Sequence, residues 1–324
     1  YSQYFSKSIF KNNIYEHIII HIIHSAIHYN NNIDNLNIRN CIHLYEEENK
    51  HISWKNIKNN YINTLGVKIN NKKICDTIDK NKKEIMKKND TLIIGIIGRI
   101  CDEKIPLTFL HDLCFMINNI ENKKNDLKNE KKNNLKNEKK NNLKIKIEIY
   151  GSFGNDCIYN DKFHNIIKNI EIIELMGQID FDKIDIVYKK INYLLIPSKF
   201  ETGSYVCLEA LSYGIPVICR NNYGLRKIIK DGISGHLCNS DIELISKIKY
   251  LYYDNLINNY SIIYKESLKY NIKDKVNYFE EIMENHICEN KKNLVIITSI
   301  LNISNGELSY YHIRSVFNLE ERVK

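Results

Sequence analysis

Between residues 91 and 238 the chain alternates six short apolar runs with segments of helical periodicity, and this alternation restricts the fold more than any other feature. Short runs rich in isoleucine, leucine and valine are typical of strands that are buried on both faces. Because strands that alternate with helices form a parallel sheet covered on both sides, the sequence predicts a doubly wound, Rossmann-like α/β domain. Strands are predicted at 91–97, 144–150, 170–175, 193–197, 216–220 and 235–238, and helices at 106–117, 160–168, 182–190, 204–213, 223–229 and from 241 to about 284.

Ligands of such sheets bind outside the carboxyl ends of the strands, so the residues directly after each strand are the candidate binding residues. Gly98, Arg99 and Lys104 follow the first strand, where glycine allows a sharp turn and the two cations suit a diphosphate. Gly151 and Gly154 follow the second strand and permit close approach of a ligand to the backbone. A strand-ending turn without a ligand is the alternative for each glycine motif.

The segment after the strand at 193–197 combines carboxylates with a predicted helix start. Gly203 and Ser204 begin the helix, whose free backbone N–H groups and dipole favour an anion. Glu201 precedes the helix, and Glu209 lies inside it among apolar residues, where a carboxylate needs a partner or a ligand. For Glu209 the alternative is a core carboxylate that is satisfied by hydrogen bonds.

The excess of positive charge is local. The formal net charge is +8, but residues 121–144 alone hold nine lysines against four acidic residues, in an eight-residue repeat. With three leucines, this segment cannot bury enough apolar surface to offset its ordering entropy. We predict a low-complexity insertion that forms a solvated loop or a frayed helix, with an interaction tail as the alternative. The rest of the chain has little net charge, so no nucleic-acid binding is predicted.

The cysteines and the apolar stretches bear on the compartment. The nine cysteines are scattered and include no Cys-x-x-Cys pair, which favours a reducing compartment. The apolar runs at 18–23 and 92–97 are too short to span a bilayer. We therefore expect a cytoplasmic protein without a transmembrane segment, and peripheral membrane association stays open.

About 87 residues precede the α/β domain, with further strands expected within 15–26 and 40–45. The chain begins at Tyr1 rather than at Met, so we expect it to be a fragment that lacks an N-terminal segment. Four histidines in this part recur at helical spacing, and we interpret them as part of an apolar helix or strand rather than as a metal site. They are His17, His21, His24 and His28.

After residue 288 a fresh apolar run begins at 293–300. It opens either a further domain or a tail that packs back on the protein. The predicted organisation is therefore a partial N-terminal domain at 1–87, the α/β domain at 88–288, and this last segment at 289–324.

Taken together, the motifs resemble the C-terminal, donor-binding half of glycosyltransferase family 4, whose members are retaining enzymes of the GT-B fold. The resemblance covers about residues 88–285. Its most specific part is the pair Glu201 and Glu209, with seven residues between them, followed by the Gly214-Ile-Pro-Val217 turn. It implies a GT-B-type α/β fold with an incomplete acceptor-side domain, and transfer of a sugar from a nucleotide sugar with retention of configuration.

The resemblance also implies a role for each site residue. Arg99 and Lys104 would hold the donor diphosphate, and Glu201, which would contact the donor sugar, completes the catalytic set. Glu209 would accept hydrogen bonds from the ribose, and the turn at 176–178 would lie near the base. The backbone N–H groups of Gly203, Ser204 and Tyr205 would bind the β-phosphate. The implied donor-binding residues are Gly98, Gly151, Gly154, Gly177, Gly203, Ser204, Tyr205 and Glu209.

The implied donor is a UDP- or GDP-sugar, and the implied acceptor is a glycan, a lipid or a protein-linked sugar. The resemblance also implies that no metal and no other cofactor is required. The chain departs from the family at Glu201-Thr202-Gly203-Ser204, where Glu-Gly-Phe-Gly is usual, and this leaves the sugar selectivity open. The alternative function is a non-catalytic nucleotide-sugar-binding module. An epimerase of the same fold is disfavoured by the spaced glutamates.

Overall fold

The computed structural model describes residues 18–23, 40–43, 59–62, 64–69, 91–130, 145–201, 203–253, 260–290 and 294–299. The chain divides into two compact units. Unit 1 comprises Tyr1–Gly66 with Ile272–Lys324, and unit 2 comprises Val67–Asn271. The predicted domain boundaries at 87 and 288 stay predictions.

Strands and helices are numbered along the chain. The strands are β1 (Ile18–Ile23), β2 (Asn40–His43), β3 (Asn59–Ile62), β4 (Leu92–Ile97), β5 (Ile145–Tyr150), β6 (Ile173–Gly177), β7 (Tyr193–Ile196), β8 (Val217–Arg220), β9 (Gly235–Cys238) and β10 (Leu294–Ser299). The helices are α1 (Leu107–Glu130), α2 (Cys157–Ile167), α3 (Ile184–Lys190), α4 (Tyr205–Ser212), α5 (Leu225–Ile228), α6 (Asp241–Tyr253), α7 (Tyr260–Ser267) and α8 (Ile272–Asn290). Short 3₁₀ turns cover Phe181–Lys183 and Leu268–Tyr270.

Unit 2 contains a six-stranded parallel sheet in the order β6-β5-β4-β7-β8-β9. The chain builds one half outward from β4 and the other half outward from β7, and these two strands are neighbours, with Ile94 opposite Tyr193. The strand order therefore reverses between β4 and β7. In open α/β sheets, ligands bind at the carboxyl edge of that reversal.

Helices cover both faces of this sheet. On one face α1, α2 and α6 bury apolar side chains against the strands, among them Phe109, Phe163 and Leu244. Burial of each such side chain stabilises the fold by about 2–3 kcal/mol. On the other face α4 packs on β7 and β8. Ile191 lies so close to Gly95 of β4 that a Cβ there would come within 2.9 Å of its side chain.

The predicted α/β fold is confirmed, and the main differences are in the lengths of elements. Helix α1 continues to Glu130, well past the predicted end at 117, and so runs into the lysine-rich insertion. The rest of that insertion, 131–144, lies outside the described residues. The stretch from 241 was predicted as one helical region, but it contains three separate helices, α6, α7 and α8.

Unit 1 contains a four-stranded parallel sheet in the order β10-β1-β2-β3. Strand β10 pairs with β1 along its whole length, from Ile18 opposite Leu294 to Ile23 opposite Ser299. The described part of the predicted apolar run, 294–299, therefore forms an edge strand of this sheet. His21 lies in β1, so the helical spacing is not realised there. The other three histidines of that pattern lie outside the described residues.

Candidate functional site

The turns after β4, β5 and β6 are joined by backbone hydrogen bonds. The N–H of Gly98 donates to the carbonyl of Tyr150 at 2.9 Å, and the N–H of Gly151 donates to the carbonyl of Gly177 at 2.8 Å. Gly154 N donates to Ile100 O at 3.1 Å. A Cβ at Gly151 would lie 1.8 Å from the Gly98 carbonyl oxygen, so this approach requires glycine. The structure thus places the four predicted glycines in one series of turns at the carboxyl edge.

The loops after β4 and β7 are joined by side chains of opposite charge. Lys104 Nζ donates to Glu201 Oε1 at 2.6 Å, and both side chains are largely buried, with 25% and 10% of their surfaces exposed. Lys199 reinforces this contact, because its backbone N–H donates to Glu103 O at 2.9 Å and its ammonium group binds the Asp102 carboxylate. The hydrogen bond from Lys199 lowers the pKa of Asp102. The structure therefore brings two of the predicted catalytic residues into contact.

The loop after β8 holds the segment of Glu201 from the opposite side. Arg220 Nε donates to Pro197 O at 2.9 Å, and Asn222 Nδ2 donates to Ser198 O at 3.3 Å. The backbone N–H of Gly224 donates to Glu201 O at 2.8 Å. Glu201 is consequently fixed through its side chain by the β4 loop and through its backbone by the β8 loop.

Helix α4 starts directly behind Glu201. Ser204 has an extended backbone and caps the helix, since its hydroxyl oxygen accepts from the N–H of Cys207 at 3.3 Å. The first amides of a helix have no carbonyl partner within the helix. Those of Tyr205 and Val206 therefore remain available at the start of α4, where the helix dipole favours an anion. The Tyr205 side chain is about half exposed.

Glu209 lies one turn further along α4 and has a different partner. The hydroxyl of Tyr188 on α3 donates to Glu209 Oε2 at 2.7 Å. Burial raises the pKa of the Glu209 carboxyl, and the hydrogen bond from Tyr188 lowers it, with a net rise above the usual range. Within the described residues, no hydrogen bond or ion pair joins Glu209 to Lys104 or Glu201.

Arg99 is exposed at the turn after β4 and makes no hydrogen bond or ion pair with the described residues. The part of the chain that the structure describes contains no group of three or more His, Cys, Asp or Glu side chains arranged to hold a metal. That the reaction requires no metal stays a prediction.

Five residues of the candidate site were not predicted from the sequence. Asp102, Lys199, Arg220 and Asn222 tie the three loops together. Each lies at or shortly after the end of a strand, so the rule that selected Arg99 and Lys104 could have found them. Tyr188 lies in a helix remote from any strand end in sequence, and no sequence signal pointed to it.

A separate cluster of polar side chains surrounds Glu148 of β5. Glu148 of β5 is fully buried, and its carboxylate binds Lys190 at 2.7 Å, Lys146 at 3.1 Å and the hydroxyl of Tyr150. Burial raises the pKa of Glu148, but the hydrogen bonds from these three groups outweigh it, so the pKa is lowered. The alternating sequence of β5 gave no sign that this glutamate is buried.

The chain has the fold of the GT-B glycosyltransferases. Two solved structures show the likeness. The chain matches Alr3699/HepE of Anabaena, solved in complex with UDP, with a TM-score of 0.63 and 13% identity over 88% of this chain and 77% of that one. It matches TarM of S. aureus, in complex with fondaparinux, alpha-GlcNAc-glycerol and UDP, with a TM-score of 0.61 and 16% identity over 86% and 53% of the two chains.

The family model for glycosyl transferases group 1 matches residues 112–264, a little under half of the chain. The matched segment contains Glu201, α4 and Glu209. A protein of Methanocaldococcus jannaschii named as an uncharacterized glycosyltransferase, MJ1178, is 32% identical over 98 residues. That match covers 29% of this chain and 28% of the relative. No helix in the described part of the chain has the length and hydrophobicity to cross a bilayer.

Proposed function

We propose that this chain transfers a sugar from a nucleotide sugar to an acceptor with retention of the anomeric configuration. The observation that carries the proposal is the contact between Lys104 and Glu201, 2.6 Å apart, at the carboxyl edge of β4 and β7. In a doubly wound sheet this is the position of the ligand. The nearby start of α4 adds an anion-binding helix end to the same edge.

The diphosphate of the donor would lie between Arg99, Lys104 and the start of α4. An ammonium group has three N–H donors. One of those of Lys104 is held by Glu201, and two remain for phosphate oxygens. Arg99 offers a fork of donors from an exposed position. Negative charge that develops on the departing nucleotide diphosphate would be stabilised by these groups in place, which is the main source of catalysis in sites of this type.

The two glutamates would bind the two sugars of the donor. Glu201 uses Oε1 for Lys104, and its second oxygen is left for a hydroxyl of the transferred sugar. Glu209 would accept hydrogen bonds from the ribose. Retention of configuration is supported by the resemblance of the Glu201 and Glu209 spacing to a retaining family. The proposed acceptor is a glycan, a lipid or a protein-linked sugar.

UDP is the first nucleotide to test, because the Anabaena and S. aureus proteins of similar fold were solved with UDP. Calorimetric titration with UDP measures binding. Proton NMR during slow hydrolysis of UDP-glucose and other UDP-sugars reveals the anomer released before mutarotation. We expect UDP to bind, and the sugar to appear first as the anomer present in the donor. Release of the opposite anomer would contradict retention.

Lys104→Gln is the test variant, and Lys168→Gln, an exposed lysine at the end of α2, is the matched control. Loss of UDP binding and of hydrolysis in the first variant alone supports the assigned site. The alternative function, a non-catalytic nucleotide-sugar-binding module, predicts the same loss of binding but no release of sugar from any donor, even by the unmodified chain with acceptor glycans added.

A further inference from the structure

Tyr188 is a buried tyrosine that points a single polar atom at the candidate site. Its side chain has no exposed surface, and its ring stacks on Tyr213 with the centroids 5.1 Å apart and the planes 20° from parallel. The hydroxyl lies 2.7 Å from Glu209 Oε2 and 3.4 Å from the carbonyl oxygen of Val206. A hydroxyl has one proton to donate, and the short bond to the carboxylate is the stronger of the two.

This contact occupies one oxygen of the Glu209 carboxylate and leaves the other for a ligand. Oε2 accepts from Tyr188, and Oε1 has no hydrogen bond to the described residues. Because Tyr188 is fixed by packing, its hydroxyl restricts rotation of the carboxylate and leaves one oxygen for an external donor. A side chain already held in its binding geometry loses less conformational entropy when the ligand arrives.

The hydrogen bond also bears on the charge of Glu209. Burial favours the protonated carboxyl, and a hydroxyl that donates to the carboxylate favours the ionised one. Among the described residues, the other titratable groups that act on Tyr188 are Cys207 on α4 and Tyr213, which follows α4 directly. Burial raises the pKa of the Cys207 thiol well above its ordinary value. Among the described residues, Tyr188 is therefore the group that favours the ionised form of Glu209 against the effect of burial.

We propose that Tyr188 is a positioning residue that holds the Glu209 carboxylate for the ribose hydroxyls of the donor nucleotide. The inference rests on the proposed function, which assigns the ribose to Glu209. The inference adds that selectivity for ribose over 2′,3′-dideoxyribose depends on Tyr188, a residue that does not touch the nucleotide.

The test compares UDP with 2′,3′-dideoxy-UDP, which lacks the two hydroxyls but keeps the base and the diphosphate. Their dissociation constants are measured for the unmodified chain, Tyr188→Phe and Glu209→Gln. The control is Tyr270→Phe, which removes another buried hydroxyl, one that donates to the carbonyl of Lys227 at 3.3 Å. We expect the unmodified chain and the control to prefer UDP by about tenfold or more, and Tyr188→Phe and Glu209→Gln to lose most of that preference.

The inference is overturned if Tyr188→Phe keeps the preference, or if it weakens both nucleotides equally, as a merely structural role would. Should that variant fail to melt cooperatively, Glu209→Asp replaces it. Its shorter side chain keeps the charge but cannot reach Tyr188 and the ribose together. The preference for UDP should then fall, and an unchanged preference would contradict the inference. If the unmodified chain binds neither nucleotide, the proposed function fails, and the inference fails with it.

Discussion

Lys104 Nζ and Glu201 Oε1 lie 2.6 Å apart, across the two loops that follow the neighbouring strands β4 and β7. The pair joins a residue proposed to hold the diphosphate to one proposed to hold the sugar. Each charge therefore orients the other before a donor binds. The pair thus lies where it could contact both sides of the sugar–phosphate bond that the proposed reaction breaks.

Removing the charge of Lys104 should weaken binding of the diphosphate specifically. For Lys104→Gln we expect the dissociation constant of UDP to rise by about 10- to 100-fold, the usual loss for a hydrogen bond to a charged group. Uridine, which lacks phosphate, should bind equally to both proteins. Titration calorimetry with the two ligands measures this. Equal losses for UDP and uridine would indicate a general disturbance of the site instead.

Glu201→Gln should separate binding from turnover. The amide cannot pair with Lys104 as an ion, and it binds a sugar hydroxyl less strongly in the transition state. We expect UDP affinity to change by less than about threefold and hydrolysis of the UDP-sugar to slow by about 100-fold. Steady-state kinetics beside calorimetry tests this. A variant that hydrolyses the donor at the original rate would remove Glu201 from the catalytic set.

The pH dependence of UDP binding should report the ionisation of the Glu209 carboxyl. Its pKa is raised by burial, and only the ionised carboxylate offers both oxygens as acceptors without a competing O–H. An exposed glutamate has a pKa of about 4.3. As the pH falls, the affinity for UDP should therefore begin to decline at a pH above the one expected for an exposed glutamate. The phosphate of UDP also titrates, so Glu209→Gln serves as the reference. Superimposable profiles for the two proteins would argue against ionised Glu209 as a ligand.

The buried Glu148 should matter for stability and not for the ligand. Glu148→Gln leaves Lys190 and Lys146 without the full compensating charge. Because the carboxylate is buried but both lysines are partly exposed, the loss in the free energy of unfolding should be about 2 kcal/mol, less than for a fully buried pair. Glu174→Gln, which removes only the exposed partner of Lys146, should cost less than about 1 kcal/mol. Urea unfolding of both variants measures the difference, and equal costs would contradict this assignment.

Gly151→Ala should disturb the turns at the carboxyl edge, because its Cβ would lie 1.8 Å from the Gly98 carbonyl oxygen. The control is Gly232→Ala, which also replaces a glycine of positive φ but meets no atom within 4 Å. We expect the first variant to lose at least about 2 kcal/mol more stability than the second. UDP binding should weaken in the first variant only. Similar melting temperatures for the two would contradict the close approach.

Much of unit 2 could be predicted from sequence, because each strand is a short apolar run that ends at a glycine, proline or polar residue. The same periodicity located the Glu201 segment at a strand end and Glu209 in a helix. It could not reveal partners that are distant in sequence. The contacts of Glu209 with Tyr188, and of Lys199 with Asp102, depend on how helices and loops pack in three dimensions.

Burial was equally hidden from the sequence. In β5 a lysine and a glutamate alternate with isoleucine, a pattern typical of a solvated face, yet Glu148 is fully buried and pairs with Lys190 of α3. Strand β3 was also missed. Its residues, Asn59–Ile62, include two asparagines and carry little of the apolar signal that marks the other strands.

We propose that the carboxyl edge between β4 and β7 binds a nucleotide sugar. Hydrogen–deuterium exchange with and without saturating UDP tests it most directly, because it locates the ligand without any substitution. We expect slower exchange in peptides that cover 98–105 and 201–208, and no change in 157–168 on α2. Unchanged exchange at both loops in the presence of bound UDP, or protection confined to other parts of the chain, would contradict the claim.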